Sequence, residues 1–207
     1  MREDVNLVQM EIILVGRSNV GKSSVIRQLT GIKVRIGRRP GVTRRITRYK
    51  VGGIEIVDMP GFGFMSGVPK IVQDKIKTDI VRHIEQNRDN IMLAMEVVDA
   101  KSFSDIVERW QRRGQIPVDV EMFSFLNELN LNPVLVANKI DLISPVERDA
   151  VLDDMCEKLG LPPPWHQWND TVVPISAKTG EGLPELKKLL RKRLRGLGRD
   201  RFLGWLK

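Results

Sequence analysis

Gly16-Arg17-Ser18-Asn19-Val20-Gly21-Lys22-Ser23-Ser24 fits the pattern Gly-x4-Gly-Lys-Ser without a mismatch. The apolar run Met10-Glu11-Ile12-Ile13-Leu14-Val15 before it predicts a buried strand, and Ser23 to Leu29 after it predicts the first turns of a helix. A strand, a glycine-rich turn and a helix start gather several backbone N–H groups around one concavity at the positive end of the helix dipole. That arrangement binds triphosphate oxygens. The two glycines let the backbone pass close to a ligand without a Cβ clash. Lys22 is expected to reach the β and γ phosphates, and the Ser23 hydroxyl to ligate Mg²⁺. Taken alone, the motif specifies a nucleoside triphosphate and no particular base.

The base is named further along. Pro133-Val134-Leu135-Val136-Ala137 reads as another buried strand and runs directly into Asn138-Lys139-Ile140-Asp141, the guanine-reading Asn-Lys-x-Asp element. The Asp141 carboxylate can accept two hydrogen bonds, from guanine N1–H and the exocyclic amine. Adenine offers no such donor pair and would leave a buried carboxylate unpaired, a loss of several kcal/mol. The Lys139 stem is expected to lie along the base face, and Asn138 to tie this loop to the phosphate loop. A third strand, Thr171-Val172-Val173-Pro174-Ile175, leads into Ser176-Ala177-Lys178, where the Ala177 N–H is placed to bond guanine O6. An isolated Asn-Lys-x-Asp is as readily a helix N-cap. Three elements in this order, each after an apolar strand, argue otherwise.

Two more pieces concern the γ-phosphate. The strand Ile54-Glu55-Ile56-Val57 ends in Asp58-Met59-Pro60-Gly61, where Asp58 is expected to hold Mg²⁺ through a water and the Gly61 N–H to bond the γ-phosphate. Pro40-Gly41-Val42-Thr43 lies between the phosphate loop and this strand, and Thr43 is the favoured second Mg²⁺-ligating hydroxyl. Its competitor, Thr47, falls in the alternating run Ile46–Val51 that reads as a strand.

With these residues the chain resembles the translation-factor-related P-loop GTPases, in the group that includes TrmE, Era, EngA, EngB and septins, and within them the EngB family of ribosome-assembly GTPases. Family-level markers are the stretches at 16–24, Pro-Gly-Val-Thr at 40–43 and Asp-Met-Pro-Gly-Phe-Gly-Phe at 58–64. The resemblance covers nearly the whole chain. It implies a Ras-like α/β domain with a mostly parallel six-stranded sheet, one antiparallel edge strand and helices on both faces. It also implies GTP hydrolysis in large-subunit assembly, with GTP or GDP, Mg²⁺, and rRNA or the large ribosomal subunit as partners. Lys22, Thr43 and Gly61 would serve hydrolysis, and Ser23, Thr43 and Asp58 would hold the metal. The stretch Lys101–Val118 departs from the family, being longer than this connection usually is in bacterial members, which puts the partner surface in question and not the nucleotide site.

In Ras-like GTPases a glutamine follows the Asp-x-x-Gly glycine and orients the attacking water. Here Phe62 follows it, so intrinsic turnover should be slow. Asn19 matches the phosphate-loop asparagine that in similar GTPases helps hold a monovalent cation, so K⁺ is one candidate for the missing charge. Arg44, Arg45 or a ribosomal group is another.

Charge is the second signal. The chain has 34 Lys+Arg against 26 Asp+Glu, a net +8. Gly31 to Lys50 carries Lys33, Arg35, Arg38, Arg39, Arg44, Arg45, Arg48 and Lys50 without one acidic residue. A basic patch on the segment expected to change order with the γ-phosphate can couple nucleotide state to RNA backbone binding, or merely steer GTP. The C-terminal helix sets Lys187, Lys188, Arg191, Lys192, Arg193 and Arg195 against a stripe of Leu183, Leu186, Leu190, Leu194 and Leu197. A solvated face explains that pattern, and rRNA or an anionic membrane surface would also fit it. The rival to a GTPase is therefore a GTP-dependent binding module with negligible catalysis, acting on another RNA or at a membrane.

At 207 residues and 42% hydrophobic, the composition suits a single domain spanning 1–207. No apolar run approaches the ~20 residues of a membrane span, and the N-terminus lacks a signal-peptide pattern. Its one cysteine, Cys156, suits a reducing cytoplasm and reads as a packed thiol. His83 and His166 lack partners at ligand spacing, so no transition metal is expected. Nothing points to DNA, to integral membrane association or to an oligomer. Alternating elements complete the pattern. They are a hairpin across Gly52-Gly53, a helix from Pro69 to about Asn87 with Ile71, Val72, Ile76, Ile80 and Ile84 inward, and strand Ile91–Val98. Helices near Val118–Leu129, Pro145–Leu159 and from Leu183 follow, with Trp165 and Trp168 capping the core.

Overall fold

The computed structural model describes residues 10–34, 45–63 and 68–206. The elements are β1 (Glu11–Val15), α1 (Lys22–Thr30), β2 (Thr47–Val51), β3 (Ile54–Asp58), α2 (Lys70–Gln86), β4 (Ile91–Asp99), α3 (Phe103–Gln111), α4 (Val118–Glu128), β5 (Val134–Asn138), α5 (Arg148–Lys158), β6 (Val172–Ile175) and α6 (Leu183–Gly196). A 3-10 turn at Asp200–Trp205 follows α6. Among the described residues the strands form one sheet in the order β2-β3-β1-β4-β5-β6. Every pair is parallel except β2–β3, whose turn residues Gly52 and Gly53 both have positive φ, 57° and 83°. Side chains disfavour that backbone region, which is why the hairpin turns on two glycines.

β1 lies inside the sheet and is covered on both faces, so it reads as a continuous apolar run instead of an alternating one. On one face, Val25, Ile26 and Leu29 of α1 and Leu186, Leu190 and Leu194 of α6 pack with Ile12, Leu14 and Ile56. On the other, α2 and α4 cover Ile13, Val15 and Val57 through Ile76, Ile80, Ile84, Met122 and Leu126. β3 and β4 flank β1 on opposite sides. The strand order reverses there, which opens a crevice at the carboxyl ends of the strands.

Three expectations change. Ile71 is 79% exposed and Val72 is also exposed, so the buried stripe of α2 starts only at Ile76 and takes in His83. His83 Nε2 lies 2.8 Å from Glu11 Oε2, and Arg48 reaches its Nδ1 at 3.3 Å, so a polar contact replaces an apolar one. Leu197 is 55% exposed and Leu189 is buried in its stead, because α6 ends at Gly196. The stretch after Lys101, read as a connection, forms α3. Phe103 and Val107, one helical turn apart, pack with Leu152, Met155 and Cys156 of α5. Cys156 is fully buried, and burial pushes its thiol up to about 11. Trp165 and Trp168 pack against the same cluster as caps.

Candidate nucleotide-binding site

The phosphate loop connects β1 to α1 over a backbone that only glycine tolerates at two points. Gly16 has φ 141°, and a Cβ there would sit 2.2 Å from the Val97 carbonyl oxygen of β4. Gly21 has φ 104°, and its Cβ would sit 2.3 Å from Asn138 Nδ2. Asn19 also lies in the left-handed region, at φ 67°. Val20 is buried in the core, Ser23 and Ser24 are half-buried in the first turn of α1, and Lys22 opens that helix. The Lys22 ammonium is buried and donates to the Gly16 carbonyl at 2.7 Å and the Arg17 carbonyl at 3.0 Å, leaving one of its three protons uncommitted. Burial lowers its pKa to about 8, against the opposing pull of Asp58 and Asp119.

Ser23 Oγ donates to Asp58 Oδ2 at 2.8 Å, so the two expected metal ligands meet although 35 residues separate them. Asp58 Oδ1 is buried with no hydrogen-bond partner. Burial raises the Asp58 carboxyl above its usual range, while Lys22 and Ser23 pull it down. A hydroxyl and a carboxylate with a free oxygen are the hard donors that suit Mg²⁺. Thr47 pairs with Asp58 across β2–β3, and its hydroxyl turns to the Arg45 carbonyl at 3.3 Å, as a strand residue would. Gly41, Val42 and Thr43 lie outside the described residues.

Met59, Pro60 and Gly61 are buried beside the phosphate loop. A Cβ at Gly61 would lie 2.6 Å from Ser18 Cα. Phe62 is 1% exposed, packs among Ile13, Val57 and Ile80, and its backbone bridges Arg17. Its ring faces the core and offers no group to water.

The third group assembles around Asn138. Its Nδ2 donates to the Val20 carbonyl at 2.7 Å, and its Oδ1 accepts the Ala177 N–H at 3.0 Å. One amide thus links the phosphate loop, the end of β5 and the loop after β6. The Ala177 N–H, expected to face guanine O6, is engaged by this bridge. Its carbonyl accepts from Gln28 of α1 at 2.9 Å. Asp141 Oδ1 accepts from buried Ser176 Oγ at 2.7 Å, which fixes the carboxylate plane and leaves Oδ2 without a protein donor among the described residues. Lys139 adopts φ 70°, and its ammonium pairs with Asp99 Oδ2 at 2.7 Å. Lys178 is exposed. Asp99 and Gln28 were not singled out from sequence. Asp99 carried one signal, an acid closing an apolar strand, whereas Gln28 carried none.

Residues 11–139 match the 50S ribosome-binding GTPase family. A protein of Methanopyrus kandleri described as a probable GTP-binding protein EngB is 56% identical over 195 residues, which is 93% of this chain and 96% of its own length. A crystal structure of a probable GTP-binding protein EngB superposes with a TM-score of 0.80 at 44% identity, over 90% of this chain and 99% of that one. Era in complex with MgGDPNP and nucleotides 1506–1542 of 16S ribosomal RNA gives a TM-score of 0.64 at 26% identity, over 89% of this chain and 56% of Era. Family match, near full-length identity and shared fold agree: the chain is a GTPase and belongs to the EngB family of GTP-binding proteins.

Proposed function

We propose that the chain is a GTP-driven switch that acts as a monomeric domain in the cytoplasm during assembly of the large ribosomal subunit, through contact with rRNA. The observation that carries the nucleotide half is the Asn138 amide, which joins the phosphate loop to both loops that would hold guanine. Asp141, held by Ser176, reads the base. Lys22 and the Gly61 N–H meet the β and γ phosphates. Ser23, Asp58 and Thr43 would hold Mg²⁺, which when bound neutralises charge developing on the phosphate oxygens. Era's complex with MgGDPNP and 16S rRNA supports both the metal and the RNA as expectations.

Hydrolysis adds water across the γ-phosphorus. The P–O bond to the bridging oxygen breaks, GDP departs with the bonding electrons, and the water's proton ends on phosphate or solvent. With Phe62 buried in the core, intrinsic turnover is slow. We expect K⁺ to raise the rate relative to Na⁺, and Asn19→Ala to abolish the difference. Equal rates in the two salts, with and without ribosomal subunits, remove K⁺ from the mechanism.

For the RNA half, Arg35, Arg38, Arg39 and Arg44 lie outside the described residues, and Arg48 is spent on Glu55 at 3.1 Å and Glu11 at 3.8 Å. Lys33, Arg45 and Lys50 of the same segment are exposed, and the face of α6 offers a second basic surface. Lys187, Lys188, Arg191 and Lys192 make no ion pair among the described residues, while the leucines opposite them are buried. Changing these four to glutamine should weaken binding to 50S subunits and lower the slope of log affinity against log salt by about 0.7–0.9 per lost phosphate contact. The reading as a whole is tested by GTP turnover and co-sedimentation with 50S subunits. Failure of the native chain to bind them under any nucleotide leaves the GTPase and removes the ribosome.

A further inference from the structure

Beside the phosphate loop lies a set of charged side chains that includes Arg17 of the loop itself, which lines one cavity with Asn19 and Lys139. Arg17 has a largely buried side chain, and its Nη1 is 3.9 Å from Asp119 Oδ2 on α4. Asp119 is 3% exposed. No other carboxylate among the described residues forms an ion pair with Arg17. Glu96 of β4, fully buried, completes the set, and neither of its oxygens has a hydrogen-bond partner. Burial holds the Glu96 carboxyl well above its usual range, and the Asp119 carboxylate pushes it further.

What Arg17 touches on its other side matters for chemistry. Its backbone bridges Phe62, and its Nε and side-chain stem pass 3.3–3.9 Å from the point where a Gly63 Cβ would be. Phe62 and Gly63 directly follow Gly61, whose N–H is the expected γ-phosphate donor. With no glutamine to orient water, the rate rests on backbone groups being held where charge develops, and displacement of such a group by a fraction of an ångström is costly. An acid in the first turn of α4 would gain its dipole stabilisation at an exposed position, so burial against Arg17 asks for a further reason.

We infer that Asp119 is a positioning residue for GTP hydrolysis, holding Arg17 and, through it, the Phe62–Gly63 segment against the phosphate loop. α4 follows α3, so this pair links α4 to the γ-phosphate contact.

The test is steady-state GTP hydrolysis by the full chain, with GDP affinity measured in parallel. Asp119→Asn keeps the shape and removes the charge. Its kcat should fall about tenfold, while GDP affinity and KM stay within about threefold, as for an interaction that matters mainly in the transition state. Arg17→Lys, which keeps the charge and loses the guanidinium Nε beside Gly63, should fall between the native chain and Asp119→Asn. The native kcat should drop as pH falls through about 6, where Asp119 takes up a proton. The charged and titratable groups around Asp119 are Arg17, Lys22 and Glu96, with Asp58 beyond Lys22 and the Asp99–Lys139 pair in the cavity that Arg17 and Asp119 also line. Asp119→Asn should be low and flat through that window. If Asp119→Asn does not fold, Asp119→Glu, which displaces the charge by one methylene and still titrates, is read by kcat and GDP affinity alone: a loss of kcat with GDP affinity kept supports the inference, and native kcat overturns it. Native kcat in the variant, an acid limb that persists in Asp119→Asn, or equal losses of kcat and GDP affinity would overturn the inference.

Discussion

Replacing Asp141 with asparagine is expected to lower GTP affinity by about 10³-fold and to raise affinity for xanthosine triphosphate. A site built to hydrogen-bond a substrate discriminates by roughly 10⁴–10⁵ against an analogue lacking the group, because the site's own polar atoms are then left unpaired. In Asp141→Asn the lost acceptor becomes a donor, which opposes the guanine amine and suits the C2 oxygen of xanthine. The fold should survive, since Ser176 Oγ donates to Asp141 Oδ1 and the asparagine carbonyl can accept the same bond. Binding of GTP, ATP and XTP to both forms is the measurement. Unchanged GTP affinity in the variant, or comparable ATP binding by the native chain, would sink the assignment of Asp141.

Gly61→Ala should reduce GTP hydrolysis by about 10²-fold or more, the scale of removing one donor to developing charge. The cause is steric. A Cβ at Gly61 would lie 2.6 Å from Ser18 Cα and 2.7 Å from Ser18 N, both backbone atoms of the phosphate loop that have no rotamer with which to yield. The Gly61 N–H must therefore move away from where the γ-phosphate would sit. GDP binding should change far less, because GDP lacks that phosphate. Single-turnover hydrolysis alongside GDP titration separates the two effects. A variant that hydrolyses GTP at the native rate would show that the Gly61 N–H is not a catalytic donor.

Much of this was legible in the residues themselves. The phosphate loop, the Asp58 element and Asn138–Asp141 each sit at the end of an apolar strand, and local rules suffice there. A parallel strand buried on both faces must be apolar throughout, and ligand loops of such sheets gather at the strands' carboxyl ends. The Gly52-Gly53 hairpin was similarly plain, because its backbone requires residues without a Cβ. Where the reading went astray, local pattern was insufficient. Ile71 and Val72 have the spacing of buried residues, but α2 approaches the sheet only from Ile76 onward.

The sequence by itself determined that the chain holds a guanine nucleotide in a parallel α/β sheet, because short-range sterics and hydrogen-bond chemistry fix the motif residues. Only the tertiary structure decided which side chains meet beneath them. Arg17 and Asp119 are 102 positions apart, and Glu96 lies on a third element between them. Each looks like an ordinary charge in its own segment. Burial against one another, where water no longer screens them, turns them into a coupled group, and burial is a property of the packed fold.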